Sequence, residues 1–435
     1  MPVISRAGRT RTRLTVGRCE KHKKLSRDPS CETTSERHHT PYCDEAGIAP
    51  ARCDGRESNM KTRAAVLTGP EKPFEIMELE LDPPRAFEVR LRMVAAGLCH
   101  SDLHMIDGDL AVSFPVVGGH EAAGIVEEVG EGVTKVSVGD HVVCSYIPSC
   151  GHCRYCSTGH QNLCDQGATI LAGTMPDGTY RFHSIPGAGE ARTDYGALCM
   201  LGAFSEHIVI SELSVVKVDS WLPLDKAVLV GCGVTAGWGT AVRAGNIRPG
   251  DTTVIYGAGG LGQNAIQGAK FAGSRHIVVI DPVEFKRDTA LQFGATHVFA
   301  EAKEAHEAVV EMTWGQGADQ ALVIVSSVDE EVVQNAFNII GKGGTVVMTA
   351  IADPALLTIH VSGSDMVFNE KVIRGCQFGS SNPQYDIVKM LRMYDQGLLK
   401  LDELITRRYT LDQINDGYQD LRDGKNIRGI IDFSL

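Results

Sequence analysis

A chain of 435 residues with 43% apolar and 22% charged side chains has soluble-globular composition and is too long for one core, so two domains are expected. No apolar run approaches the roughly 20 residues that cross a bilayer, which leaves no place for a membrane partner. The net charge is −12, and residues 60–435 alone hold 30 Lys/Arg against 46 Asp/Glu; so acidic a body is no partner for nucleic acid. Thirteen cysteines without the apolar h-region of a signal peptide read as reduced thiols in the cytoplasm.

Residues 1–59 are rich in Arg, Ser, Thr, His and Cys and show neither strand nor helix periodicity. They cannot bury enough apolar surface to offset their ordering entropy, so a disordered or mis-assigned extension is expected there. Cys19, Cys31, Cys43 and Cys53 in that stretch lack C-x-x-C pairing and do not suggest a metal site.

From Met60 to residue 233 short β-branched runs alternate with Gly and Pro, as in the stretches beginning at Glu88, Ala123 and His141. That pattern predicts a mostly β domain with few helices. Over residues 234–377 the texture changes to continuous apolar strands starting at Thr253, His276, Ala321 and Thr345, separated by helical stretches. Such strands suit a parallel sheet covered on both faces, hence an α/β domain beside the β domain. Residues 378–435 carry helical patterns at 386–396 and 411–422 and a closing strand from Gly429, and are expected to return to the first domain.

Between the strand at Thr253 and the helix that follows lies Gly257-Ala-Gly-Gly-Leu-Gly262, with Asp281 ending the next strand. Gly257 permits the tight turn, Gly259 and Gly260 the approach of a pyrophosphate, and Gly262 close helix–strand packing, with Leu261 between them. The helix N-terminus offers free N–H groups to phosphate, and Asp281 would bind ribose hydroxyls and repel a 2′-phosphate, favouring NAD over NADP.

Cys150, Cys153, Cys156 and Cys164 form two C-x-x-C steps and a fourth cysteine at short interval. Four thiolates brought to one point make the closed tetrahedron of a structural zinc; an iron–sulfur cluster uses the same ligand number. A catalytic zinc needs three ligands and an open position, and candidates appear at Cys99, His104, His120, Glu121 and Cys232.

In combination these residues resemble the zinc-containing medium-chain alcohol dehydrogenases over essentially all of residues 60–435. The likeness rests on Gly97-Leu-Cys-His-Ser-Asp102, Gly119-His-Glu-Ala-Ala-Gly124, the four-cysteine lobe, Gly231-Cys-Gly233, the glycine turn and Asn426-Ile-Arg428. It implies a GroES-like catalytic domain joined to a Rossmann doubly wound sheet, two zinc ions per chain, and NAD. It further implies Cys99, His120 and Cys232 as catalytic zinc ligands, with Glu121 and Asp102 beside them. Ser101 and His104 correspond to the two ends of a proton relay, and His100, Lys286 and Arg428 to cofactor contacts. The implied reaction is hydride transfer between a primary alcohol or aldehyde and NAD, in a homodimer or homotetramer.

Stretches such as Gly159-His-Gln-Asn-Leu-Cys-Asp165 and Arg422-Asp-Gly-Lys-Asn-Ile-Arg-Gly429 are most similar to the subgroup that keeps its nicotinamide bound and uses an external redox acceptor. Ala236 departs from the family, which has a hydroxyl residue at this nicotinamide contact. Two other readings compete: a thiol-adduct formaldehyde dehydrogenase, and a non-catalytic nucleotide-binding protein of the same fold.

Overall fold

The computed structural model describes residues 59–187, 189–350 and 358–435, which belong to one compact unit. The extension expected over residues 1–59, with Cys19, Cys31, Cys43 and Cys53, lies outside the described residues apart from Asn59. Among the described residues no single helix is long and apolar enough to cross a membrane.

Three sheets organise the described residues. Strands Met60–Leu67, Glu75–Leu81, Phe182–Ser184, Asp194–Ala197 and Val116–Val117 close a small barrel. Beside it, a sheet runs in the order Val215–Lys217, His141–Cys144, Ala122–Val129, Glu88–Gly97, Arg428–Asp432, Ile405–Tyr409, with His207–Ser211 also paired to Glu88–Gly97. Arg428–Asp432 runs antiparallel to Glu88–Gly97 with Ile430 opposite Gly97, and all five of its residues are buried. Arg428–Asp432, near the C-terminal end of the described residues, is thus an interior strand of this second sheet.

The third sheet is parallel throughout, in the order His297–Phe299, His276–Ile280, Thr252–Tyr256, Ala318–Val323, Ile340–Met348, Val372–Gly375. Every residue of Thr252–Tyr256 is buried, because helices cover both faces of the sheet and leave no polar side to alternate with. The order in which strands are added reverses between Thr252–Tyr256 and Ala318–Val323, so a crevice opens beyond their carboxyl ends, where doubly wound sheets bind ligands. The glycine turn leaves Thr252–Tyr256 at that crevice.

The β-rich part holds one helix that periodicity alone does not suggest, His100–Asp107 directly after strand Glu88–Gly97. Cys99 at its N-cap makes no side-chain cap bond, and the local signal is weak. Burial of Leu103 and Met105 supplies the stabilisation that sequence propensity does not, and Gly108 ends the helix with φ 85°.

Candidate active site

Cys99, His120, Glu121 and Cys232 converge from three points of the fold. One ligand atom from each lies within 4.8 Å of all the others, and all four residues are buried. Cys99 precedes helix His100–Asp107, His120 and Glu121 lead into strand Ala122–Val129, and Cys232 opens helix Gly233–Gly239. Asp102 fixes the histidine: its Oδ1 lies 3.2 Å from His120 Nδ1 and accepts the Gly119 amide at 3.1 Å. His120 Nε2 is left facing Cys232 Sγ at 3.5 Å. A carboxylate on one ring nitrogen holds the other as a lone-pair donor, which is how ligand histidines are oriented.

Glu121 is committed elsewhere. Arg428 Nη2 donates to Glu121 Oε2, with side-chain exposures of 4% and 0%, and also to the Leu98 carbonyl at 3.3 Å. Burial pushes the Glu121 carboxyl up to about 7, against the pull of the Arg428 guanidinium. The stem of Arg428 covers the glycine turn, since a Cβ at Gly260 would stand 2.2 Å from Arg428 Cδ. Arg428, expected at the cofactor, therefore links the metal-type cluster to the dinucleotide turn.

At that turn Gly257 has φ 96°, a left-handed conformation that favours glycine. Asp281 Oδ2 accepts the Ala258 amide at 2.8 Å and Oδ1 the Val283 amide at 2.9 Å, fixing the carboxylate at the end of strand His276–Ile280. Lys286 stands half-buried on helix Glu284–Phe293 and its carbonyl receives Gln263 Nε2 at 3.1 Å. Helix Gly260–Ala272 begins on the turn, and Leu261 packs partly buried against the main core. A Cβ at Gly262 would meet the Gly257 carbonyl oxygen at 2.0 Å. Gly262→Ala is therefore expected to destabilise the chain by about 1–3 kcal/mol through overpacking, read as a lower denaturant midpoint, and to weaken nucleotide retention.

The helix His100–Asp107 carries the remaining expected residues. Ser101 Oγ lies 3.8 Å from Cys99 Sγ. Burial lowers the His100 pKa to about 4, with Lys286, His104 and Arg428 adding to it against Cys99. His104 Nδ1 faces Asp109 Oδ2 at 3.1 Å and Nε2 faces the Ser326 carbonyl at 2.9 Å. Asp109 and Ser326 were not singled out by the sequence; a carboxylate just past the Gly108 turn was the available signal for the first. Tyr146 packs edge-on to His120 at 5.6 Å and to Phe378 at 5.2 Å, giving the cluster an aromatic wall. Ala236 is buried one turn after Cys232.

Cys150, Cys153, Cys156 and Cys164 form the second cluster, again with all ligand atoms within 4.8 Å. Backbone amides point at the sulfurs, Cys153 N to Cys150 Sγ at 3.3 Å, Cys156 N to Cys153 Sγ at 3.4 Å and Cys150 N to Cys164 Sγ at 3.4 Å. Such amide bonds stabilise thiolates, so the lobe is arranged for a cation enclosed by four sulfurs.

Comparison with known proteins agrees with this geometry. Residues 85–220 match the alcohol dehydrogenase GroES-like domain and residues 260–396 the zinc-binding dehydrogenase family. An NDMA-dependent alcohol dehydrogenase of Amycolatopsis methanolica is 63% identical, spanning 86% of this chain and 99% of that protein. The chain belongs to the zinc-containing medium-chain alcohol dehydrogenases. It is thus an oxidoreductase of alcohols and aldehydes. Alcohol dehydrogenase B of Mycobacterium tuberculosis is 45% identical over 86% of the chain and 99% of its own length. The crystal structure of benzyl alcohol dehydrogenase from Acinetobacter calcoaceticus superposes with a TM-score of 0.79 at 30% identity, covering 86% of this chain and 99% of that one.

Proposed function

We propose that this dehydrogenase interconverts primary alcohols and aldehydes at Cys99, His120 and Cys232, with NAD on the Gly257–Gly262 turn. The observation that carries the reading is the convergence of two thiols and one imidazole within 4.8 Å, 6%, 6% and 2% exposed, with the neighbouring Glu121 already held by Arg428. Two sulfurs and one nitrogen suit zinc with an open fourth position, and two thiolates balance its charge. The four-cysteine lobe offers no such opening and fits a structural ion. When bound, zinc supplies Lewis acidity toward an alcohol oxygen and the nicotinamide supplies the hydride acceptor.

The remaining work falls to side chains. Ser101 Oγ, beside Cys99, takes the alcohol proton, and His104, one helical turn on, stores it. His104 faces two acceptors, Asp109 Oδ2 and the Ser326 carbonyl; a neutral ring can donate to one of them, whereas the imidazolium donates to both. Asp281, held by two backbone amides, receives the adenosine ribose hydroxyls and disfavours a 2′-phosphate. His100 lies within electrostatic reach of Lys286 and Arg428, and this basic group is assigned to the cofactor phosphates.

A nicotinamide that stays bound and is reoxidised by an external acceptor belongs to the same reading, supported by the NDMA-dependent relative. A thiol-adduct substrate is less well served. Between Gly173 and Ala197, Arg181 is 2% exposed and bound to Glu88, and Arg192 is paired with Asp82, so neither arginine is free for an anionic conjugate. A cytoplasmic setting belongs to the same reading, since two clusters of metal-type thiols need reduced sulfurs. The exposed edge strand Val372–Gly375 supports pairing of cofactor sheets in a homodimer or homotetramer.

The test is a count on purified protein. About two zinc ions per chain are expected, one for each cluster, and denaturation should release about one NAD(H). About one zinc or fewer, with no alcohol oxidation, favours the non-catalytic reading. A protein free of nucleotide that turns over fully with added NAD removes the retained-cofactor part alone.

A further inference from the structure

Two buried polar atoms beside the Cys99–His120–Cys232 cluster complete no hydrogen bond, Asp102 Oδ2 and the Tyr418 hydroxyl. Asp102 is fully buried, and only its Oδ1 is used, by Gly119 and His120. Tyr418 arrives from helix Ile414–Arg422, is 3% exposed, and has its ring stacked on Phe74 at 5.7 Å and edge-on to Phe204 at 6.2 Å. Those contacts hold the ring and therefore the direction of its hydroxyl.

Burial pushes the Tyr418 hydroxyl well above the usual tyrosine range, and the Asp102 carboxylate pushes it the same way. The group is a permanent O–H donor. Glu121 Oε1 is a second unpartnered carboxylate oxygen nearby, but the Asp102 charge acts on the hydroxyl more strongly, and the Phe204 ring that packs on Tyr418 also lies against Gly119, whose amide Asp102 accepts. A dry donor without an acceptor and a dry carboxylate oxygen without a donor are complementary, and buried groups of both kinds are nearly always satisfied.

We propose that Tyr418 is a positioning residue of the metal centre: its hydroxyl donates to Asp102 Oδ2 and so holds the carboxylate that orients His120. The inference rests on Cys99, His120 and Cys232 being zinc ligands. It makes the chain Tyr418–Asp102–His120, in which the C-terminal helix reaches the cluster through one hydroxyl. Asp102 then has both oxygens engaged, and His120 is kept with Nδ1 donating and Nε2 turned to the ligand side.

Tyr418→Phe removes the hydroxyl and keeps the ring between Phe74 and Phe204. In the full-length zinc-loaded protein, loss of each ion to a chelator is followed, with the four-cysteine ion as internal control. The catalytic ion is expected to be held roughly 10-fold or more weakly, the size of effect that partners behind a ligand exert, with the control ion and thermal midpoint unchanged. In cobalt-substituted protein the visible bands of the catalytic site shift. In an Asp102→Asn background, Tyr418→Phe adds nothing further. Release of the catalytic ion at the wild-type rate overturns the proposal. So does equal acceleration at both sites, or an effect that persists in the Asp102→Asn background. A wild-type protein that carries only the four-cysteine ion overturns the ligand assignment itself, and this inference with it.

Discussion

Cys232→Ser is expected to leave the protein folded with its four-cysteine ion, to remove the second zinc, and to lower alcohol oxidation more than roughly 100-fold. The bound is set by comparison: losing a group that merely supports a ligand costs 10–100-fold in affinity or activity, so losing the ligand exceeds the upper end. Cys232 contributes a sulfur to a buried set of two thiols and one imidazole, and a serine oxygen is a poorer donor to a borderline-soft ion. The fold should tolerate the change, because serine is close in size and Cys232 sits at the start of helix Gly233–Gly239, where a hydroxyl serves as a cap. Zinc content and rate are measured on the same preparation. Unchanged zinc and unchanged rate would remove Cys232 from the site.

Arg428→Leu has the second largest expected effect, and it separates stability from chemistry. The guanidinium is 4% exposed and its partner Glu121 0%, so neither charge has water to fall back on. Breaking such a pair from one side leaves an uncompensated buried carboxylate and costs about 3–5 kcal/mol. Replacing both partners is far milder, because the desolvated charge goes with them. The double variant Glu121→Leu with Arg428→Leu should therefore recover most of the denaturant midpoint lost by Arg428→Leu alone. Nucleotide retention should not recover, since the Arg428 stem also covers Gly260. If the double variant is no more stable than the single, the loss comes from packing and not from the stranded charge.

What the sequence made legible was local. The four cysteines lie within positions 150–164 and the glycine turn within 257–262, so their spacing states their geometry before any tertiary contact is known. Asp281 was readable for a similar reason, as the end of the next parallel strand. Cys99, His120 and Cys232 became readable only through family likeness, because nothing in their separate neighbourhoods distinguishes them from ordinary buried residues. The Arg428–Glu121 pair and the packing of Tyr418 on Phe74 and Phe204 are set by how the sheets and the C-terminal segment close on one another. No period or motif encodes that closure. Helix His100–Asp107 was hidden for a different reason: its stabilisation comes from Leu103 and Met105 packing inward, and its first turn lacks a capping side chain.

The strand Arg428–Asp432 also ties competence to a segment far downstream of the metal-type cluster. A polypeptide ending just before it would possess every metal-ligating cysteine, His120 and the whole glycine turn. It would lack the guanidinium that neutralises Glu121 from 307 residues downstream, and the strand that sits against Glu88–Gly97. Unfinished or C-terminally clipped chains would then display their thiols without the arrangement that makes them useful. The active centre is assembled only when Arg428 and its strand are in place.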